Sequence, residues 1–141
     1  MLFFWHAVDY LFVYGTLRRG EGNHPLLTGR TTFAGPASCH GFLYTVEDRY
    51  PVLRLDKSGP AVVGELYCPI DAARSQLFAN LDRLEGVDEG LYQPEVLEQS
   101  SGSWLVYTAG PALVAYCQPE NRIVGEDWCR YRIERSRLGQ D

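Results

Sequence analysis

Leu11-Phe12-Val13-Tyr14-Gly15-Thr16-Leu17-Arg18-Arg19-Gly20 is the stretch on which the fold turns. Residues 10–14 form an unbroken apolar and aromatic run. A strand without a polar face is covered on both sides, so the run predicts a central strand. It passes straight into Gly15, and glycine lets backbone N–H groups come close to a ligand. Successive N–H groups in such a turn form a nest for a carboxylate or an oxyanion. A plain strand-to-turn junction accounts for the same residues, and nothing within the stretch decides between the two.

Outward from this strand, turn residues recur at Gly29, Gly35-Pro36, Gly41, Gly59-Pro60, Gly90, Gly102 and Gly110-Pro111. This punctuation suits several strands in a compact β-rich domain. The candidates are 41–46, 61–67, 95–98, 104–108 and 112–117. One segment has helical period: Ala73, Leu77, Leu81 and Leu84 fall on one side, with Arg74, Gln76, Asn80 and Arg83 opposite. Asp71 is a candidate N-cap, and Gly86 follows as the C′ residue, which predicts a helix over about 71–85. A shorter helical turn is expected over 23–27. The fold class read from this order is α+β. The 141 residues fit one domain, with 1–9 as an N-terminal extension and 132–141 as a C-terminal tail.

The formal net charge of −5 argues against an extended nucleic-acid surface, which needs a basic excess. Arg130, Arg132, Arg135 and Arg137 read as a solvated tail. The apolar stretch 1–8 is too short to span a bilayer and lacks the basic start of a signal peptide, so a soluble, cytoplasmic protein is expected with no membrane partner. Cys39, Cys68, Cys117 and Cys129 form no Cys-x-x-Cys pair, and with His6, His24 and His40 they give no zinc spacing. Reduced, mostly buried thiols are expected, with no metal and no cofactor. Serine hydrolase, P-loop and Rossmann fingerprints are absent from the sequence. Trp5, Trp104 and Trp128 read as packing residues.

Glu85 stands at the C-terminal end of the expected helix, where the macrodipole disfavours an anion. Asp82 lies one turn back, and Asp88 and Glu89 follow. Dipole and like charges both raise a carboxyl pKa, which is what a general base near neutral pH requires. An idle, solvated acidic helix end is the competing reading. Glu65, in strand 61–67, is a weaker candidate for the same cavity, because a lone strand glutamate is more often exposed.

The stretch 11–20 with Asn23-His24 resembles the opening motif of the γ-glutamyl cyclotransferase-like family, in the branch of γ-glutamylamine cyclotransferases and AIG2-like proteins. Leu81-Asp82-Arg83-Leu84-Glu85-Gly86, with Tyr92 beyond it, resembles the second motif. Val63-Gly64-Glu65-Leu66-Tyr67 is similar to the strand before the family's helix, and Gly125-Glu126-Asp127-Trp128 to its closing segment. The resemblance spans about residues 10–131. It implies a small mixed β-barrel with helices packed around it. It also implies an enzyme, of transferase or lyase type, that converts γ-glutamyl amides or γ-glutamylamines to 5-oxoproline and a free amine without metal or cofactor. The family's catalytic glutamate falls on Glu85. Its substrate loop falls on Tyr14, Gly15, Thr16 and Leu17, and a pocket-side tyrosine on Tyr92. Asn23 and His24 are expected to brace the loop, and Arg18 and Arg19 to flank it in solvent or attract the substrate carboxylate. The sequence departs from the family where Gln93 follows Tyr92, a position that many members fill with arginine. The alternative to an enzyme is a non-catalytic small-acid-binding or interaction protein that keeps the cavity.

Overall fold

The computed structural model describes residues 3–138. Six strands, β1 (Tyr10–Val13), β2 (Thr31–Val46), β3 (Tyr50–Leu55), β4 (Ala61–Pro69), β5 (Tyr92–Gln99) and β6 (Gly102–Ala109), and two helices, α1 (Arg74–Leu84) and α2 (Trp128–Leu138), are joined by short 3₁₀ turns. The sheet order is β3-β2-β4-β1-β6-β5. Neighbours are antiparallel except β1 and β6, which run parallel, so the sheet is mixed. It curls until β3 lies against β6, giving a nearly closed six-stranded barrel. Closure is pinned where the Tyr92 hydroxyl on β5 donates to the Pro51 carbonyl on β3 at 2.6 Å.

β1 is central, as its apolar run requires, and Leu11, Phe12 and Val13 are buried. Leu11 and Val13 face a core shared with α1, while Phe12 faces the barrel interior with Leu43, Leu53, Val62 and Val106. α1 follows a 3₁₀ turn at Asp71–Ala73 and buries Leu77, Phe78 and Leu81 against Leu11 and Leu105. Each such side chain contributes about 1.5–3 kcal/mol. The Asp71 side chain makes no cap hydrogen bond, and the N-cap position belongs to Ala73. Leu84, expected on the buried stripe, is 39% exposed.

Three readings of the sequence are corrected. Residues 31–40, where the sequence offers no strand candidate, form the first half of β2, paired with β4 and bent at an irregularity between Phe33 and Gly35. Most of their side chains are exposed and Gly35-Pro36 interrupts them, so no apolar period marks the strand. β3 was missed because Pro51 and Arg54 break its pattern, though Val52 and Leu53 are buried. Conversely 112–117 is no strand: Val114–Tyr116 is a 3₁₀ turn that sends Leu113 inward beside Val46 and Val52.

The basic C-terminal run is exposed but belongs to a helix and not to an extended tail. α2 is anchored by buried Trp128, whose indole N–H donates to Glu21 at 3.0 Å. Arg132 pairs with Glu21 at 2.8 Å and Arg135 with Asp48 at 2.7 Å. The segment 139–141 of the expected tail lies outside the described residues. Among the described residues no helix is long and apolar enough to cross a membrane.

Candidate active site

At the end of β1 the chain turns through Tyr14-Gly15-Thr16-Leu17, and these four residues line a pocket with Tyr50, Pro51, Glu85, Tyr92 and Tyr107. The pocket encloses about 370 Å³ of empty space, its open mouth included. The structure therefore brings together all six residues singled out from the sequence, contributed by β1's end, α1's end and β5.

The loop is held by its neighbours. The Asn23 side-chain amide donates to Thr16 Oγ1 at 3.0 Å, and the Asn23 backbone N–H to the Thr16 carbonyl at 3.0 Å. His24 Nδ1 lies 2.9 Å from the Leu17 carbonyl. Arg18 N–H closes the turn on the Gly15 carbonyl at 3.0 Å. Among the described residues none of the turn and loop hydrogen bonds is donated by the Gly15, Thr16 or Leu17 N–H. Gly15 is required by space: a Cβ there would stand 2.6 Å from Pro51 Cγ. A side chain at position 15 would force the loop and Pro51 of β3 apart.

Arg18 and Glu65 are not pocket groups. The Arg18 guanidinium is almost enclosed, donating to Glu65 at 3.2 Å and to Asp127 at 2.8 Å. Glu65 also accepts from the Arg19 N–H and the Tyr67 hydroxyl, both at 2.9 Å. Arg19 lies over the Phe33 ring, 3.7 Å from its centroid. These groups brace the loop from behind.

Glu85 is the C-cap of α1, its N–H donating to the Leu81 carbonyl at 2.8 Å, and Gly86 after it takes the left-handed conformation with φ of 60°. The Glu85 carboxyl is pushed up to about 8, first by burial and second by the charge of Asp82. No hydrogen bond to the carboxyl offsets these effects. Asp82 was expected to act in this way. Asp88 and Glu89 were too, but they are exposed, and burial, which the sequence did not reveal, dominates.

Of the pocket's tyrosines, Tyr14 and Tyr92 are expected from the sequence and Tyr50 and Tyr107 are not. The Tyr107 hydroxyl donates to Asp82 at 2.6 Å, and the Tyr14 hydroxyl to the Tyr107 carbonyl at 2.5 Å. Burial, and to a lesser degree the Glu85 charge, hold the Tyr14, Tyr92 and Tyr107 hydroxyls above the usual phenol range, so they stay protonated donors. They come from the end of β1 and from β5 and β6, neighbours in the sheet, and the register that aims Tyr107 at the helix end has no mark in the sequence. Gln93 alternates with Tyr92 and faces a separate groove with Leu53, Arg54, Glu95 and Thr108. Cys39 is buried, its thiol pushed up to about 12 by desolvation, but the expectation of mostly buried thiols does not hold, since Cys117 and Cys129 are half-buried and Cys68 is exposed. None of the four thiols lines this pocket.

The model of the family described as Gamma-glutamyl cyclotransferase, AIG2-like matches residues 11–130. The chain belongs to this family. Within it, a protein of Arabidopsis thaliana provisionally named a gamma-glutamylcyclotransferase is 37% identical over 92 residues, covering 58% of this chain and 46% of that protein. The gamma-L-glutamyl-butirosin B gamma-glutamyl cyclotransferase of Niallia circulans is 44% identical over 57 residues, covering 40% of this chain and 35% of that protein. The matches thus span less than half the length of either relative. An AIG2-like protein from Mus musculus has a similar structure, with a TM-score of 0.58 and 26% identity, over 81% of this chain and 87% of that one. An uncharacterized protein from Pyrococcus horikoshii shares the fold at a TM-score of 0.68 and 24% identity, over 92% of this chain and 97% of that one.

Proposed function

We propose that this member of the family is a γ-glutamyl cyclotransferase that cyclises a γ-glutamylamine or γ-glutamyl amide to 5-oxoproline and releases the amine. The observation that carries this reading is the pairing of one half-buried carboxyl that accepts no hydrogen bond with a strand-end loop of undonated N–H groups on one pocket. The names of the relatives support the reaction class, and one of them names a γ-glutamylated butirosin as that protein's substrate.

The substrate's α-amine attacks its own γ-carbonyl carbon, forming the ring C–N bond. Glu85 accepts the proton that the attacking amine loses. The carbonyl oxygen becomes an oxyanion, which needs hydrogen-bond donors; the N–H groups of Gly15, Thr16 and Leu17, with the buried tyrosine hydroxyls beside them, supply that chemistry. The intermediate collapses by breaking the bond to the leaving nitrogen, and Glu85 returns its proton there, so no net proton is consumed. Both reacting groups belong to one molecule, and holding them in attack geometry supplies much of the acceleration. A carboxyl pushed up to about 8 suits both halves, since the protonated form prevails near neutral pH while a minor deprotonated fraction, roughly a tenth, remains to act as base.

The test is incubation of the full chain with a panel of γ-glutamyl amines and amides, assayed for 5-oxoproline. Release that is lost in Glu85→Gln is expected. Saturable binding of 5-oxoproline without turnover of any member would favour a binding module, and release unchanged by Glu85→Gln would remove that residue from the mechanism.

A further inference from the structure

The N-terminal turn Phe4–Ala7 precedes the first residue matched by the family model, yet it reaches the site. His6 is 6% exposed and stacks on Phe78 of α1, with ring centroids 4.9 Å apart and an interplanar angle of 12°. Its Nε2 lies 2.8 Å from Asp82 Oδ2. The other Asp82 oxygen accepts the Tyr107 hydroxyl at 2.6 Å, and Trp5 Nε1 stands 3.4 Å from Oδ2. Arg74 Nη1 fastens the turn from the same helix, donating to the carbonyls of His6 at 2.8 Å and Val8 at 2.9 Å. A hydrogen-bonded line thus runs from His6 through Asp82 to Tyr107, which lines the pocket beside Glu85.

We infer that His6 is a positioning residue for the proposed reaction: by holding Asp82 it fixes the Tyr107 wall of the pocket and the electrostatic field at Glu85. This rests on the reading of Glu85 as the proton-transfer group. The geometry fits the assignment because His6 makes the short contact to Asp82 Oδ2 while Tyr107 takes Oδ1, so loss of the His6 donor leaves Oδ2 only the longer Trp5 contact and loosens the carboxylate that holds Tyr107. The charged and titratable groups around this line are His6 on the turn, Arg74, Asp82 and Glu85 on α1, and Tyr14, Tyr92 and Tyr107 from the strands. A carboxylate that loses a donor exerts a stronger field on its neighbour, so disruption at His6 raises the Glu85 midpoint, whereas removal of the Asp82 charge lowers it.

Two variants separate hydrogen bonding from packing. His6→Phe keeps a flat ring against Phe78 and loses the donor; His6→Gln keeps an amide donor near the Nε2 position and loses the ring. With a γ-glutamyl amide that the wild type turns over, His6→Phe is expected to lower kcat about tenfold or more with KM changed less than about threefold, because small misplacements of a reacting group are costly in rate. His6→Gln is expected to recover most of that loss. Carbon-detected NMR titration of the Glu85 carboxyl, assigned by its absence in Glu85→Gln, gives a second reading that needs no turnover. Its midpoint should rise in His6→Phe, fall in Asp82→Asn and stay near wild type in His6→Gln. An unmoved midpoint and unchanged kcat in His6→Phe would overturn the inference, as would a His6→Gln variant as impaired as His6→Phe. If the wild type turns over no γ-glutamyl compound, the proposed function fails, and the three midpoints still decide whether His6 acts on Glu85.

Discussion

Glu85, half-buried at the pocket, and Glu21, buried behind it, are two glutamates with opposite surroundings. Glu21 is 8% exposed and accepts from the Trp128 indole and the Arg132 guanidinium, which tie the loop after β1 to α2. Glu126 follows the same plan, accepting from the Leu43 N–H at 2.8 Å and from Arg122 at 2.6 Å. Each of these carboxylates replaces lost hydration with donors, the condition for burying charge without a large penalty. Glu85 has no such replacement and borders open space. A protein that surrounds its two buried glutamates with donors, and leaves a half-buried one without them beside a pocket, has placed an unfavourable group where chemistry can use it.

The contrast is broken most severely at Glu85 itself. Glu85→Gln is expected to lower kcat for 5-oxoproline release by about 10²–10⁴-fold, the usual worth of a positioned acid–base group, as measured by steady-state kinetics on the full chain. Glu21→Gln should do the reverse. Replacing one partner of a buried charge-assisted pair is expected to cost about 1–3 kcal/mol in denaturant unfolding, with kcat of the folded protein changed little. Gly15→Ala lies between these two: its Cβ would overlap Pro51, so we expect about 1–3 kcal/mol of destabilisation together with a raised KM, as the loop and β3 part.

A smaller effect sharpens the same comparison through pH. The Glu85 carboxyl is at about 8 in the folded protein against 4.5 for the ordinary group. Between these values the native state holds a proton that the unfolded chain has lost, so this residue's contribution to stability falls as pH rises through that window. Relative to Glu85→Gln, the wild type should therefore lose thermal stability between about pH 5 and pH 8, by a few kcal/mol at most, as read from paired unfolding curves.

What was legible in the sequence depended on how each residue earns its place. β1 and α1 show themselves because their burial is periodic or complete: residues 10–14 carry no polar side chain, and Leu77 and Leu81 recur at one face. Gly86 announces the helix end that sets Glu85. The first half of β2 is held mainly by backbone pairing, which leaves no trace in residue type, and in β3 Pro51 and Arg54 interrupt the period around buried Val52 and Leu53. The site divides in the same way. Tyr14–Leu17, Glu85 and Tyr92 sit at motif positions close to turns and could be named in advance. Tyr107, Tyr50 and Pro51 enter the pocket only because the barrel closes β3 toward β6, and Arg18 and Glu65 leave it because they find each other first. Proximity across a closed sheet is a property of register, and a single sequence does not encode register in any local pattern.

If Glu85 works as an unpaired proton acceptor raised by desolvation, the pH dependence of kcat/KM for 5-oxoproline release will carry its signature. A rate that climbs with pH along an acid limb centred near 8 is the expected result, since kcat/KM reports the groups of the free enzyme. A limb centred near the ordinary carboxyl value of 4.5, with a flat rate above it, would contradict that role.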